Sequence, residues 1–411
     1  MMKIAIIHNE YGAFSGEEAV VRNQKDLLLA QGHEVSCLFR SSSEIDRMTL
    51  GKARAFFSGM SNPWMKRVFR RFLAKNAPDV VHVHNLFPLI SPSILPVCRE
   101  CGVPVVMSVH NYRMVCPTGL HMPKGRPQAC TRCSGGREYW CILKNCEQNL
   151  CKSVGYTLRT YVARRTRAFR DSVSMFVCLT QFQRGRLVAE GYPENRVTVV
   201  PNMVSVGEEA GETARGDYVG FVGRISPEKG IDTLREVARR LPQVPFALAG
   251  SGAMLPAAAA TAGPNLRFCG HIPHTAIDRF FRDSRIIVLP SLCFEAFPLI
   301  LVEAMLHRKP VIVSRIGGLP EIVDEGVTGL LFEPGNASAL AHQIQYLWDR
   351  PALCRQMGQA GREKALREYS PQKHYERLMA VYEKARESSL AYPAGKSPWS
   401  PPRLSWSGDR A

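Results

Sequence analysis

The sequence predicts an α/β protein built from two doubly wound, Rossmann-like domains, and three observations carry that expectation. The chain has 411 residues, beyond the size at which a single hydrophobic core keeps growing. Short apolar runs of strand length alternate with helical stretches, the pattern of parallel sheets with helical crossovers. The alternation stops at Ser205–Gly216 (SVGEEAGETARG), where small and acidic residues show no apolar period, and then starts again. The expected division is a first domain over 1–204, a linker over 205–216, a second domain over 217–370, a helix over 371–388 and a disordered, Pro- and Ser-rich tail over 389–411.

In order, Lys3–His8 reads as a strand, and a loop with Gly12 and Gly16 leads to a helix over about Glu18–Gln31 that Gly32 closes. Strand Val35–Phe39, helix Pro63–Lys75, strand Val80–Val83, a helix near Pro92–Cys101 and strand Val103–Val109 follow. Beyond His110 the period gives way to a Cys-, Gly- and Pro-rich insertion over 111–152. Regular structure resumes with a long Arg-rich helix over Ser153–Asp171, strand Met175–Leu179, helix Gln181–Glu190 and strand Val197–Val200. In the second half, strands are expected up to Gly223 and over Phe246–Ala249, Leu266–Cys269, Ile286–Leu289 and Val311–Val313. Helices are expected from Gly230, over Thr275–Asp283, from Pro298 and from Ala337.

A hydrophobic fraction of 45% with 22% charged residues is ordinary for a globular enzyme, but a net charge of +17 is not. It suggests an anionic partner: nucleic acid, an acidic membrane face or a phosphorylated substrate. The longest apolar runs fall well short of the roughly 20 residues needed to span a bilayer, and the apolar start MMKIAIIH is too short for a signal peptide, so a cytoplasmic protein is expected. Thirteen cysteines in that setting favour thiols or metal ligands over disulfides.

The stretch Ser291–Glu303 (SLCFEAFPLILVE) sets two carboxylates in apolar surroundings. A buried strand stopped by Pro290 precedes it, and Pro298 fits the first position of the next helix. Glu295 then sits in the turn and Glu303 in a helix apolar almost all round, where a bare charge is costly and calls for a ligand hydroxyl or a cation. Upstream, the turn GRISPEKG carries Arg224 and Lys229 at a helix start, where backbone amides already favour anions. Two such cations suit a diphosphate. Gly250, in LAGSG after another strand, would allow close backbone approach to a ligand. Neither glycine set completes a dinucleotide fingerprint or a P-loop, which disfavours redox and NTPase chemistry.

Taken together, GRISPEKG, EAFPLILVE and the later SRIGGLPEIV resemble the retaining glycosyltransferases of family GT4 (glycosyl transferases group 1), which have the GT-B fold of two such domains facing a central cleft. The resemblance covers nearly the whole chain to about Glu387. It implies that Arg224 and Lys229 hold the diphosphate of a UDP- or GDP-linked sugar, Glu303 the ribose hydroxyls and Glu295 the hydroxyls of the transferred hexose. The backbone around Ala296, Phe297 and Pro298 would also face the donor sugar. Gly16 would lie where the first loop approaches the diphosphate, with Ser15 replacing the usual first glycine. His110 matches a histidine near the reaction centre, but Asn111 follows it where an aspartate is more frequent. Acceptor binding falls to the first domain and donor binding to the second.

Arg224, Lys229 and the helix start can stabilise a leaving phosphate without a metal, and no Asp-x-Asp pair occurs in the sequence. No second carboxylate is evident as an acid/base partner for a nucleophilic Glu295. Front-face displacement, with the departing phosphate oxygen taking the acceptor's proton, is therefore the expected retaining mechanism.

Six cysteines crowd the insertion, and Cys130-x-x-Cys133 has zinc-knuckle spacing; free buried thiols and an iron–sulfur site are the alternatives. The insertion resembles one in polysaccharide-assembly glycosyltransferases, and that likeness implies Cys116, Cys130, Cys133 and Cys146 as ligands of a structural zinc. Lys66, Arg67, Arg70, Arg71 and Lys75 lie beside Trp64, Met65, Phe69 and Phe72 on one helix, while Arg159, Arg164, Arg165, Arg167 and Arg170 lie on another. Basic helices with aromatic anchors suit an anionic membrane surface. The expectation is a peripheral enzyme on the inner face of the cytoplasmic membrane, adding sugar to a glycan or lipid-linked acceptor in cell-surface polysaccharide biosynthesis. The alternatives are a sugar-nucleotide epimerase or hydrolase and a zinc-stabilised nucleic-acid binder. The last lacks a base-reading module, so no nucleic acid is expected.

Overall fold

The computed structural model describes residues 1–12, 15–126, 128–204 and 216–390. The first sheet contains β1 (Lys3–Glu10), β2 (Glu34–Ser41), β3 (Val80–Val83), β4 (Val105–Ser108), β5 (Met175–Cys178) and β6 (Val197–Val199), in the order β2-β1-β3-β4-β5-β6. The second contains β7 (Tyr218–Val222), β8 (Phe246–Ala249), β9 (Leu266–Gly270), β10 (Ser284–Leu289), β11 (Val311–Ser314) and β12 (Gly329–Phe332), in the order β12-β11-β10-β7-β8-β9. Every strand pairing is parallel. Helices cover both faces, which is why β3, β4, β5, β8, β11 and β12 are buried at every position and read as continuous apolar runs.

The two doubly wound domains predicted from the sequence are therefore present. In each sheet the strand order reverses beside its first strand, between β1 and β3 and between β7 and β10. Crossovers on opposite faces leave a crevice beyond the carboxyl ends of the strands at such a point. The residues after β1, β3, β4, β7 and β10 therefore border the two crevices.

Several elements differ from expectation. The Arg-rich helix is two, Leu150–Arg165 and Ala168–Ser172, broken where Arg167 takes φ +53°. Pro298 caps the Leu299–Leu306 helix in an extended conformation instead of occupying its first turn. Strand β12 was not anticipated, because GLLF is too short to show a period. The expected linker lies outside the described residues except for Gly216, as does the tail from 391.

The last helix, Pro371–Leu390, returns to the first domain. Its Leu378, Val381, Tyr382 and Ala385 pack with Ile4, Ile6, Val21 and Leu28. A second tie is polar: the Glu321 carboxylate accepts from the amides of Gln181 and Phe182, both at 2.6 Å, at the start of the Gln181–Ala189 helix. Among the described residues no helix is long and apolar enough to cross a membrane.

Candidate active site

The second-domain side of the site forms where the ends of β7, β8 and β10 meet. A Cβ on Gly230 would lie 2.0 Å from the Pro290 carbonyl oxygen, and its φ of +70° suits glycine. This close approach brings the turn carrying Lys229 against the loop after β10. Lys229 Nζ donates to Glu295 Oε1 at 2.6 Å, and Ser291 Oγ donates to the same oxygen. Burial alone would push the Glu295 carboxyl up, but Lys229 and Ser291 outweigh it and hold it below the ordinary range. Burial likewise opposes the Lys229 ammonium, yet Glu295 keeps it above its usual value. The site therefore holds an ionised pair already formed.

Arg224, on the same turn, is 64% exposed and sits 3.1 Å from Glu228, leaving most of its guanidinium facing solvent. Gly250 behaves differently from expectation: a Cβ there would lie 1.8 Å from the Gly223 carbonyl oxygen, so the close approach it permits is to a neighbouring turn. The Phe297 side chain is core, edge-on to Tyr369 with centroids 5.3 Å apart, so only its backbone is left for a ligand. Among the described residues, no backbone acceptor is found for the amides of Ala296, Leu299 and Ile300 at this helix start.

Glu303, in the Leu299–Leu306 helix, is the other carboxylate. Burial, with Asp278 nearby, raises its pKa to about 7. Among the described residues it has no hydrogen-bonded or ion-paired partner, so of the two needs inferred from the sequence, cation or ligand hydroxyl, the cation is not met within the protein.

On the first-domain side, His110 lies just past β4. Its Nε2 is 2.8 Å from His84 Nδ1, and the rings stack with centroids 5.1 Å apart. His84 stacks in turn on His82, whose Nδ1 meets Tyr382 at 2.7 Å and whose Nε2 meets Ser108 at 2.9 Å. Burial pulls His110 down to about 4, leaving a neutral imidazole at physiological pH.

Asn111 donates to the Tyr11 hydroxyl at 3.4 Å, and Tyr11 donates to Glu17 Oε2 at 2.7 Å. Glu17, pushed upward by burial, has its other oxygen 3.9 Å from His8 Nδ1. The carboxylate missing at position 111 is thus reached through one tyrosine. Sequence reading missed Glu17 because a glutamate in a first helical turn looks like ordinary dipole compensation; the signal available was its adjacency to Gly16.

Gly16 opens the Gly16–Ala30 helix, and a Cβ on it would lie 3.9 Å from Leu299 Cδ1, so the first-domain loop faces the donor-side helix directly. Tyr112 completes the bridge: its hydroxyl donates to the Glu295 carbonyl at 3.2 Å, and its ring meets His121, Phe182 and Phe294 edge-on. The insertion adds Leu120 and Met122, which pack on Leu292 and Cys293. The Cys-rich segment therefore abuts the loop that carries Glu295.

The zinc expectation finds no support. Among the described residues no group of three or more His, Cys, Asp or Glu side chains is arranged to hold a metal ion. The Cys116 thiol is spent on Thr118 at 3.3 Å, and Cys133, Cys141 and Cys146 form a small apolar cluster against Trp140. Burial raises the Cys116 and Cys133 thiols, as befits neutral packing groups, and Cys130 is only partly buried, with its carbonyl accepting from His121.

The membrane-facing reading of the two basic helices also changes. Met65 and Phe69 are fully buried and Phe72 stacks on Phe69, so of the four apolar residues Trp64 alone is well exposed, with Arg40 over its ring at 5.3 Å. On the later helices Arg164 pairs with Glu138, Arg167 with Asp171, and Arg170 donates to the Glu190 carbonyl. Arg159 is buried. Four of these five arginines are thus engaged within the protein.

Two crevices facing each other across paired Rossmann-like domains define a GT-B fold. Solved structures agree: sucrose-phosphate synthase from Thermosynechococcus elongatus superposes with a TM-score of 0.70 over 94% of this chain and 100% of its own, at 18% identity. HepE from Anabaena, solved with UDP and glucose, gives 0.64 over 93% and 100%, at 16% identity. The family model for Glycosyltransferase Family 4 matches residues 14–208, and that for Glycosyl transferases group 1 matches 208–364. Between them the two models take in 14–364, so each half of the chain is similar to glycosyltransferases of group 1 and family 4.

Among curated relatives, an uncharacterized glycosyltransferase of Methanocaldococcus jannaschii is 30% identical over 213 residues, 50% of this chain and 58% of its own. A D-inositol 3-phosphate glycosyltransferase of a Mycobacterium species is 37% identical over 152 residues, 34% of each chain. The matched regions thus span between a third and three fifths of these relatives' lengths.

Proposed function

We propose that the chain transfers a hexose, with retention, from a UDP- or GDP-linked donor to a glycan or lipid-linked acceptor in cell-surface polysaccharide assembly, working at the inner face of the cytoplasmic membrane. The observation that carries this is the grouping at the β7/β10 switch point: Lys229 paired to Glu295, exposed Arg224, and Glu303 raised to about 7 with no side-chain partner among the described residues. In this reading Glu303 takes the ribose hydroxyls and Arg224 and Lys229 the diphosphate. Glu295, Gly16 and the free amides at the Leu299–Leu306 helix start surround the sugar and its phosphates. The solved HepE complexes with UDP and with UDP-glucose make this class of ligand the natural first choice.

The chemistry follows from the charges. As the glycosidic bond breaks, negative charge grows on the β-phosphate oxygen, and Arg224 and Lys229 are placed to stabilise it without a metal. Glu295 is already neutralised by Lys229 and Ser291, a poor state for a nucleophile. That favours attack by the acceptor hydroxyl on the face the phosphate leaves, with the phosphate oxygen taking the proton. Neutral His110, held by His84, offers a hydrogen bond to the sugar. The test is a transfer assay with nucleotide-sugar donors and lipid-linked or free glycan acceptors, with the product anomer assigned by NMR. Retention is expected, and an inverted product, or consumption of donor without any transfer, would contradict the proposal.

A further inference from the structure

A cavity of about 640 Å³ opens on the first domain between the Gly51–Ser58 helix, the Leu150–Arg165 helix and the Phe87–Pro88 turn. Its walls carry four cations, Lys52, Arg113, Lys152 and Arg159, and no carboxylate. Arg159 is the informative one. It is 7% exposed, sandwiched with its guanidinium 4.3 Å from the Phe87 ring centroid and 4.5 Å from that of Tyr156. One nitrogen donates to the Pro117 carbonyl, and its Nε has no partner among the described residues. Burial, with Arg113 close by, pulls it down to about 9. A buried guanidinium costs several kcal/mol unless an anion meets it, and the cavity it lines has none to offer.

Most of the remaining surface of the cavity is apolar and aromatic, with Ile45, Ala55, Phe56, Phe87 and Pro88, while Ser42 and Asn149 add polar groups. A Cβ on Gly155 would lie 2.7 Å from the Phe56 ring, so a glycine there lets the two helices close over the cavity floor. Three exposed apolar residues adjoin the lining in sequence. Leu50 and Phe57 flank the lining residues of the short helix and are 78% and 64% exposed, and Leu150, between lining residues Asn149 and Cys151, is 58% exposed. Tyr11 and Arg113 also line it, with Arg113 5.2 Å over the Tyr11 ring and Tyr11 bonded to Glu17 and Asn111.

We propose that this cavity anchors the acceptor and that it takes a prenyl diphosphate-linked sugar. The prenyl chain leaves across Leu50, Phe57 and Leu150 into lipid. The diphosphate meets Arg159, Arg113, Lys52 and Lys152, and the sugar projects past Tyr11 toward His110. A mainly apolar and aromatic lining that carries four cations suits a molecule that joins a hydrocarbon chain to a diphosphate. Such binding also places membrane contact beside this cavity instead of on the Pro63–Asn76 helix. The inference deepens the proposed transfer and rests on it for the direction in which the sugar points.

The probe is farnesyl diphosphate, titrated calorimetrically into the full chain alongside farnesol, inorganic diphosphate and a lipid-free anionic oligosaccharide. Farnesyl diphosphate should bind at least about tenfold more tightly than any of the other three. Loss of a charge-assisted contact is worth roughly 1.5–3 kcal/mol, so Arg159→Gln should weaken it about tenfold or more. The surface pair Lys52→Gln/Lys152→Gln, which does not disturb the core, should weaken it severalfold, and Arg224→Gln in the other domain should leave it unchanged. Equal binding of inorganic diphosphate or of the oligosaccharide, insensitivity to both cavity variants, or loss in Arg224→Gln would overturn the assignment. Nucleotide-sugar binding, measured on the same samples, separates the two proposals: its absence beside intact farnesyl diphosphate binding removes the donor reading, and the converse removes this one.

Discussion

Lys229 and Glu295 depend on each other. Removing the lysine takes away a cation from the leaving phosphate and strands a buried carboxylate. Lys229→Gln should therefore lower kcat by about 10²–10³ and also destabilise the fold by roughly 3–5 kcal/mol, checked by steady-state rates and urea unfolding. Glu303 presents the opposite case. Its pKa of about 7, against 4.5 for an ordinary glutamate, means that the folded protein binds a proton there more tightly than the unfolded chain. Its contribution is fully present below about pH 4.5 and is lost as pH rises toward 7, at no more than about 1.4 kcal/mol per pH unit. Glu303→Gln, which cannot ionise, should be more stable than the parent above pH 7, with the gap closing as pH falls; a constant gap would show that the carboxyl is not raised. Both glutamates were legible in the sequence, because charge in an apolar run demands explanation. Glu17 was not: only the fold reveals that its turn points inward at His8 and Tyr11.

At the scale of elements, the Cys-rich insertion acts as a spacer between the two halves of the site. Tyr112, His121, Leu120 and Met122 reach the 291–297 loop. Tyr112→Phe should raise the donor KM about two- to tenfold, the worth of one hydrogen bond of roughly 0.5–1.5 kcal/mol, with little change in Tm. An unchanged KM would show that the contact positions nothing. Cysteine spacing suggested zinc here; in the fold Cys133, Cys141 and Cys146 cluster against Trp140 and the Cys116 thiol meets Thr118. The basic helices teach a similar lesson. The helix expected over 63–75 is present, yet which face is buried depends on the sheet beneath, and that face took Met65 and Phe69.

For the whole molecule, the two alternating runs of strands and helices made the fold readable, since parallel sheets covered on both faces leave continuous apolar strands. The return of the last helix to the first domain was not readable, because an amphipathic helix does not name its partner. Tyr382 is its anchor, fully buried and bonded to His82 beneath the His84–His110 stack. Tyr382→Ala should cost about 3–5 kcal/mol and should disturb the His110 ring, visible as altered imidazole NMR shifts in the first domain. The central claim, that the β7/β10 crevice holds a nucleotide-sugar, is tested most directly by calorimetric titration of UDP- and GDP-sugars into the parent chain and Glu303→Gln. Among the described residues Glu303 has no side-chain partner to strand, so the variant leaves the surrounding contacts in place. The account predicts binding of at least one donor by the parent and a loss of about tenfold or more in the variant. Binding that is indifferent to Glu303, or no binding of any nucleotide-sugar by the parent, would contradict it.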